Sequence, residues 1–267
     1  MTETKLQALD SILTDLRSFI VAFSGGVDSS FLLYRAHGLA NVTVEAVTVR
    51  TPYIPEREIN EAISFTGKYG IVHKIIDFDF PEVIRHNPVE RCYLCKKILF
   101  SRILEYGGKK GYEYVTDGTN ADDTNDFRPG LKALKELTVR SPLSEAGLTK
   151  NEIRELSLKA GLETWDKPAM ACLLTRIPYD TEVKDKTLRM IEEAENFLFE
   201  KGFPGARVRV HGDIARIESL PGYFGEIIND PVRELIISRL KKIGFRYISL
   251  DLEGYKKGST NPETKIL

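Results

Sequence analysis

The chain of 267 residues is long enough to bury a full hydrophobic core, as one large domain or two smaller ones. Its composition, 42% hydrophobic and 29% charged with no long apolar run, is that of a soluble globular protein and excludes a membrane-spanning segment. A net charge of −1 supplies no overall attraction to nucleic acid, which argues against RNA as the main partner. The first residues, Met1 to Lys5, lack the charged-then-apolar pattern of a signal peptide. Three cysteines, an odd number, argue against a closed disulfide framework. A cytoplasmic enzyme in a reducing compartment is expected.

Leu6, Leu9, Ile12, Leu13, Leu16 and Phe19 recur at helical spacing, so residues 4–18 are expected to form an amphipathic helix. The apolar run Ile20-Val21-Ala22-Phe23 reads as a buried strand that ends in the turn Ser24-Gly25-Gly26, and a helix follows over 29–37. Further on, strands are expected at 42–49, 72–78 and 114–116, and helices at 55–68, 95–106 and 151–159. Strands alternating with helices predict an α/β domain, a parallel sheet with helices on both faces, over residues 1–180. The pattern then changes to a helix at 185–200, a hairpin of 206–211 with 214–218 turning at Gly212-Asp213, a helix at 231–243 and a strand at 245–252. Residues 181–267 are therefore expected to form a small α+β domain for substrate binding or oligomerisation, with the boundary near 178–184.

The segment Ser24-Gly25-Gly26-Val27-Asp28-Ser29 carries the strongest chemical signal. A strand entering Ser-Gly-Gly and then a helix gathers backbone N–H groups and a helix N-terminus at one point, an arrangement that favours an anion. The glycines permit close backbone approach, and the hydroxyls of Ser24 and Ser29 add donors. Asp28 would repel phosphate directly, so its natural role is to hold Mg²⁺ against it. A glycine turn capped by Ser and Asp is the bland alternative.

This hexapeptide resembles the phosphate loop of the PP-loop ATP-pyrophosphatases, which cleave ATP to AMP and pyrophosphate. The stretch Asp117-Gly118-Thr119-Asn120-Ala121-Asp122-Asp123 is similar to the second signature of that family. The resemblance implies that Gly118, Thr119 and Asp123 lie near the adenylate and its metal. Taken alone, the stretch would be an Asx-rich helix cap.

Cys92 and Cys95 stand at i and i+3, on one face of a helix, and can bind metal or form a redox disulfide. A thioredoxin-like role would place the pair beside the first strand, and zinc would need further N or S ligands where no second pair exists. Cys172 is isolated, which is compatible with burial as a small hydrophobe. Lys167 and Arg176 nearby would instead favour its thiolate.

Three further motifs narrow the resemblance. Lys167-Pro168…Cys172…Arg176-Ile177-Pro178-Tyr179, Asp126-Phe127-Arg128-Pro129-Gly130-Leu131-Lys132-Ala133 and Gly202-Phe203-Pro204…Arg207-Val208-Arg209 resemble the LarE-type sulfur transferases of nickel-pincer nucleotide synthesis, in order along most of the chain. The resemblance implies adenylation of a carboxylate of pyridinium-3,5-biscarboxylic acid mononucleotide and its conversion to a thiocarboxylate. In some members the cysteine matching Cys172 is sacrificed as the sulfur donor. Members with cysteines like Cys92 and Cys95 carry a 4Fe–4S cluster, and three thiolates would leave its fourth iron open for an added sulfide. ATP, Mg²⁺ and a 4Fe–4S cluster are thus the expected cofactors, with sulfide or another sulfur donor as a partner and a homo-oligomer as the assembly. Where the family shows Ser before the arginine of the cysteine loop, this chain has Thr175, which keeps the hydroxyl.

The bis-carboxylate mononucleotide needs guanidinium partners, and Arg207 and Arg209 alternate on one predicted strand, facing one side. The resemblance assigns them to the substrate phosphate and adds Arg176, Glu195 and Glu218 to the same site. A solvated charged face is the bland reading of the two arginines. Rival functions are a tRNA thiolase of the same superfamily and a nucleotide or iron–sulfur sensor without turnover.

Overall fold

The computed structural model describes residues 2–125, 129–168 and 171–256. Asp126 to Arg128, Ala169 and Met170, which carry part of the resemblance noted above, lie outside the described residues. By contacts the chain divides into two compact units, Met1–Pro81 with Glu90–Met170, and Glu82–Val89 with Ala171–Leu267.

In the first unit the elements run α1 (Thr2–Leu16), β1 (Ser18–Ala22), α2 (Val27–His37), β2 (Thr43–Arg50), α3 (Glu56–Tyr69) and β3 (His73–Asp77). There follow α4 (Arg91–Lys110), β4 (Tyr114–Thr116), α5 (Pro129–Glu136), α6 (Pro142–Glu145) and α7 (Lys150–Lys159). The strands form an all-parallel sheet in the order β3-β2-β1-β4. Strand alternation sorts the core onto its two faces. Phe19 and Val21 of β1, with Val44 and Ala46 of β2, pack with Leu9 and Leu13 of α1 and Phe31 of α2. Ile20, between them in sequence, joins Val47, Val49, Val115 and Ile103 of α4 in a separate cluster. The first unit is the predicted α/β arrangement.

Three helices depart from the sequence expectation. α4 begins at Arg91 rather than Cys95; Glu90 before it makes no side-chain cap, so the sequence carries no capping signal at that start. Cys92 therefore lies on the helix with Cys95. The helices α5 and α6 have eight and four residues, too few turns for an apolar stripe to be read from the sequence.

In the second unit α8 (Asp185–Glu200) precedes β5 (Arg207–His211), β6 (Ile214–Glu218), α9 (Phe224–Ile228), α10 (Val232–Ile243) and β7 (Tyr247–Leu250). β5 and β6 pair antiparallel across the two-residue turn at Gly212-Asp213, with Gly212 at φ 59°, and β7 adds parallel to β6. Leu188, Ile191, Ala194 and Leu198 form the buried stripe of α8, which packs on β5 and α10. The segment Glu82–Val89 is held in this unit by Asn87. Its side-chain amide donates to the carbonyls of Leu174, Ile177 and Pro178 at 3.2, 2.9 and 2.9 Å. With φ 50° and no exposure, Asn87 combines a left-handed backbone with a buried donor, a pairing that asparagine tolerates well.

Candidate active site

Where β1 pairs with β2 on one side and β4 on the other, the strand order reverses, and ligands of open α/β sheets bind beyond the strand ends at such a point. Both signature segments leave the sheet there. Beyond β1, the amide of Phe23 still donates to the carbonyl of Val47 at 2.9 Å, and the chain then turns through Gly25 at φ 69° into α2. A Cβ on Gly25 would lie 3.2 Å from that of Ala62, so the turn also passes close against α3. Gly26 starts α2 without a side-chain cap, which leaves the first-turn amides directed outward. The Ser24 and Ser29 hydroxyls are 3.2 Å apart, and Ser29 Oγ also donates to the carbonyl of Gly26 at 3.3 Å. These groups form a cradle of the kind that binds phosphate.

Beyond β4, Gly118 passes directly over the start of α2: a Cβ there would lie 2.8 Å from the amide nitrogen of Ser29. This brings Asp117–Asp123 against the loop. Asp117 accepts from the hydroxyls of Thr119 and Ser141, the latter at 2.7 Å, and the amide of Asn120 donates to Asp123 at 3.2 Å. Thr119 and Asp123 are both buried.

Asp28 lies in the first turn of α2. Lys150, 122 residues away in sequence, donates to its Oδ2 at 2.6 Å, while Oδ1 is buried and makes no hydrogen bond. Burial raises the Asp28 carboxyl above its ordinary value; the Lys150 charge opposes the rise and that of Asp123 adds to it. Two carboxylates, one with an unsatisfied oxygen, are hard donors that fit Mg²⁺. Lys167 is a second cation at the loop, donating to the carbonyl of Gly25 at 2.9 Å and pairing with Glu61 at 2.5 Å. Sequence reasoning had connected neither lysine with the phosphate loop. Lys150 carries no local signal, and Lys167 stood out only through the Lys167-Pro168 motif and its nearness to Cys172.

Behind the loop, the Thr48 hydroxyl donates to the carbonyl of Phe23 at 2.6 Å and accepts from His73 Nε2 at 2.8 Å, and His73 Nδ1 stands 2.9 Å from the Thr66 hydroxyl. Burial lowers the His73 pKa to about 4, so the ring is neutral at physiological pH.

In the second unit the residues around Cys172 form one network. Arg176 grips Glu195 bidentately at 2.8 and 2.9 Å, and its remaining terminal nitrogen donates to the carbonyls of Ala171 and Cys172 at 2.8 and 3.2 Å. Thr175 adds a hydroxyl bond to the Cys172 carbonyl at 3.0 Å, so the cysteine loop is held from two sides. Glu195 also accepts the amide of Val208 at 2.9 Å and stands 4.0 Å from Arg207, whose guanidinium lies over the ring of Tyr255. Arg209 donates to the carbonyl of Thr175 and pairs with Glu218 at 2.8 Å, while Arg216 pairs with the same carboxylate at 3.1 Å. Arg176, Arg209 and Glu218 are buried, which is not the exposure of a solvated charged face. An anion bound here would share guanidiniums with protein carboxylates.

Among the described residues no two cysteines form a disulfide; Cys92 is exposed, and Cys95 and Cys172 are half-buried. Cys92 and Cys95 share one turn of α4, and the Cys95 sulfur lies 3.2 Å from the hydroxyl of the wholly buried Tyr53. A set of thiolates suits an iron–sulfur cluster by donor type. Among the described residues no group of three or more His, Cys, Asp or Glu side chains is gathered as around a metal ion, and no helix is long and apolar enough to cross a membrane.

No family model matches the chain. It is 36% identical over 263 residues to the pyridinium-3,5-bisthiocarboxylic acid mononucleotide synthase of Lactiplantibacillus plantarum, covering 97% of this chain and 94% of that protein. An uncharacterised protein of Synechocystis is 35% identical over 263 residues, 98% of each chain. A tRNA-specific 2-thiouridylase of Rickettsia africae is 28% identical over 191 residues, 57% of this chain and 52% of that protein. The identity over near-complete coverage of both chains leads to one conclusion: the chain belongs to the LarE family, that of the pyridinium-3,5-bisthiocarboxylic acid mononucleotide synthase.

Proposed function

We propose that the protein is an ATP-dependent sulfurtransferase that adenylates a carboxylate of pyridinium-3,5-biscarboxylic acid mononucleotide and converts it to a thiocarboxylate. The observation that carries this reading is the phosphate cradle of Ser24, Gly25, Gly26 and Ser29 with Asp28 and Asp123 beside it, in a chain that matches the named synthase along almost its whole length. In the reaction, a substrate carboxylate oxygen attacks the α-phosphorus of ATP and pyrophosphate leaves. The acyl-adenylate makes AMP the leaving group, because an unactivated carboxylate oxygen departs too poorly for displacement by sulfur. The amides of the first turn of α2 and the hydroxyls of Ser24 and Ser29 would orient the phosphates. Asp28 and Asp123 would hold Mg²⁺, which when bound offsets the charge of the triphosphate. Arg207 and Arg209, with Arg176, Glu195 and Glu218, would hold the anionic mononucleotide.

For the sulfur, Cys92, Cys95 and Cys172 would ligate a 4Fe–4S cluster, which supplies a renewable sulfide at its fourth iron. The alternative is a sacrificial Cys172, for which its loop, pinned by Arg176 and Thr175, supplies a positioned thiol. A tRNA thiolase is the weaker reading, since the chain spans about half the length of the thiouridylase it matches.

The test is to supply ATP, Mg²⁺ and the bis-carboxylate mononucleotide with a sulfide source and follow pyrophosphate and the thiocarboxylate product. Absence of substrate-dependent pyrophosphate would sink the assignment. Anaerobic purification with iron and sulfide analysis, and mass spectrometry of residue 172 after turnover, separate the two sulfur sources. Dehydroalanine at 172 would defeat the cluster.

A further inference from the structure

Lys150 stands where the cation of this site is needed. Its ammonium is 2.6 Å from Asp28 Oδ2, and the opposite oxygen of that carboxylate is buried with no hydrogen-bond partner. The backbone of Lys150 is fixed. As the first residue of α7 it donates its amide to Asp122 at 2.8 Å, and Thr149 and Glu152 close a capping box around the helix start. Glu152 is in turn paired with Lys5 at 2.7 Å, and α7 packs against α2. Only the four-carbon stem of Lys150 is free to move, and its side chain is 33% exposed. A compact, rotatable ammonium on an anchored helix start differs in this from the planar, forked arginine.

We propose that Lys150 is a placeholder cation: it neutralises Asp28 before the metal nucleotide binds, yields that carboxylate to the incoming metal, and turns to the phosphates of the nucleotide. The proposal rests on the reading of Ser24–Ser29 as the ATP site. The physical ground is charge balance. Asp28 and Asp123 sit together in a partly buried setting, where carboxylates without a compensating cation are costly. A divalent ion that takes Asp28 displaces an ammonium from the same carboxylate. The metal nucleotide is itself net negative, so the displaced ammonium gains a new partner within reach of its stem. The lysine would thus hold the metal position in order before the nucleotide binds and grip the nucleotide afterwards.

The experiment uses the full chain and two probes, Mn²⁺ alone and Mg-ATP. In Lys150→Gln, Mn²⁺ alone, followed through the loss of the free-ion paramagnetic signal, should bind about tenfold more tightly because its competitor is gone. Mg-ATP, titrated calorimetrically, should bind about tenfold to a hundredfold more weakly because a phosphate contact is lost. This opposite movement is the signature. Mn²⁺ affinity that is unchanged or lower in Lys150→Gln overturns the proposal, as does unchanged Mg-ATP affinity. If Lys150→Gln does not fold, Lys150→Arg answers instead: competition with Mn²⁺ should persist at the native level while Mg-ATP binding falls, and tighter Mn²⁺ binding would refute the placeholder. A native protein that binds no Mg-ATP would instead refute the nucleotide reading itself.

Discussion

Replacing Gly118 by alanine should damage nucleotide binding more than stability. A Cβ at this position would lie 2.8 Å from the Ser29 amide nitrogen and 3.2 Å from both Asp28 Cβ and Ser29 Cα. Comfortable contacts between such atoms begin near about 3.5 Å, so the two backbones must part by roughly half an ångström. No side chain can rotate away, because the closest atom belongs to the backbone of α2. The other side is pinned: the Asp117 amide donates to the Arg140 carbonyl at 3.0 Å and Ser141 donates to the Asp117 carboxylate at 2.7 Å. The strain therefore falls on the first turn of α2, the phosphate cradle. Overpacking of this kind costs about 1–3 kcal/mol of stability, and misplacing a catalytic constellation by ~1 Å can cost about a hundredfold in rate. The assay is paired, with urea midpoint and Mg-ATP affinity measured on Gly118→Ala and on Gly108→Ala. Gly108 lies within α4, where an added Cβ meets nothing within 4 Å, so that variant should gain about 0.5–1 kcal/mol and bind ATP normally. If Gly118→Ala matches the native midpoint and ATP affinity, the close crossing of the segment beyond β4 over the start of α2 is not what shapes the cradle.

Asp28→Ala should abolish pyrophosphate release while circular dichroism shows a native fold, since the lost carboxylate lies in a first helical turn at the mouth of the cradle; unchanged release would remove Asp28 from the chemistry. Arg207→Ala and Arg209→Ala should each weaken substrate binding by about tenfold to a hundredfold with ATP binding preserved, as measured by titration. Only Arg209→Ala should also lower the melting temperature, by the equivalent of about 3 kcal/mol, because it strips a partner from Glu218, which is 1% exposed. Equal melting temperatures for the two variants would contradict the buried pair. His73 has a folded pKa lowered by burial from 6.5 to about 4, so the unfolded chain takes up its proton first as pH falls. The stability of the neutral ring is complete above pH 6.5 and should drain away between 6.5 and about 4, by at most about 3 kcal/mol. Urea midpoints of His73→Gln should show a flatter profile across that window.

Local chemistry made much of this protein legible in its sequence. The strand expected over Ile20 to Phe23 lies at Ser18–Ala22; its apolar run was legible because both faces of the sheet are apolar, whereas Phe19, counted in the stripe of the preceding helix, belongs to the strand. The Gly212-Asp213 turn follows from the backbone freedom that a two-residue hairpin requires, and α8 from an apolar stripe at helical spacing. The phosphate loop is likewise a short-range object, a strand end, glycines and a helix start within a few residues.

Tertiary structure alone decided the charges and the partners. No local rule joins Lys150 to Asp28 across 122 positions, or sets Lys167 on the carbonyl of Gly25. The pairing of Arg176 with Glu195 and of Arg209 with Glu218 shows that strand alternation can say which residues share a face, but not whether they meet solvent, a ligand or each other. The same holds for Asn87, whose amide gathers carbonyls about ninety residues away and ties Glu82–Val89 to the second unit. Hydrophobic periodicity and turn preference act between neighbours along the chain, so they are written where they act. Ion pairs and buried polar bonds act between neighbours in space, and their specificity exists only once the fold has chosen which distant residues meet.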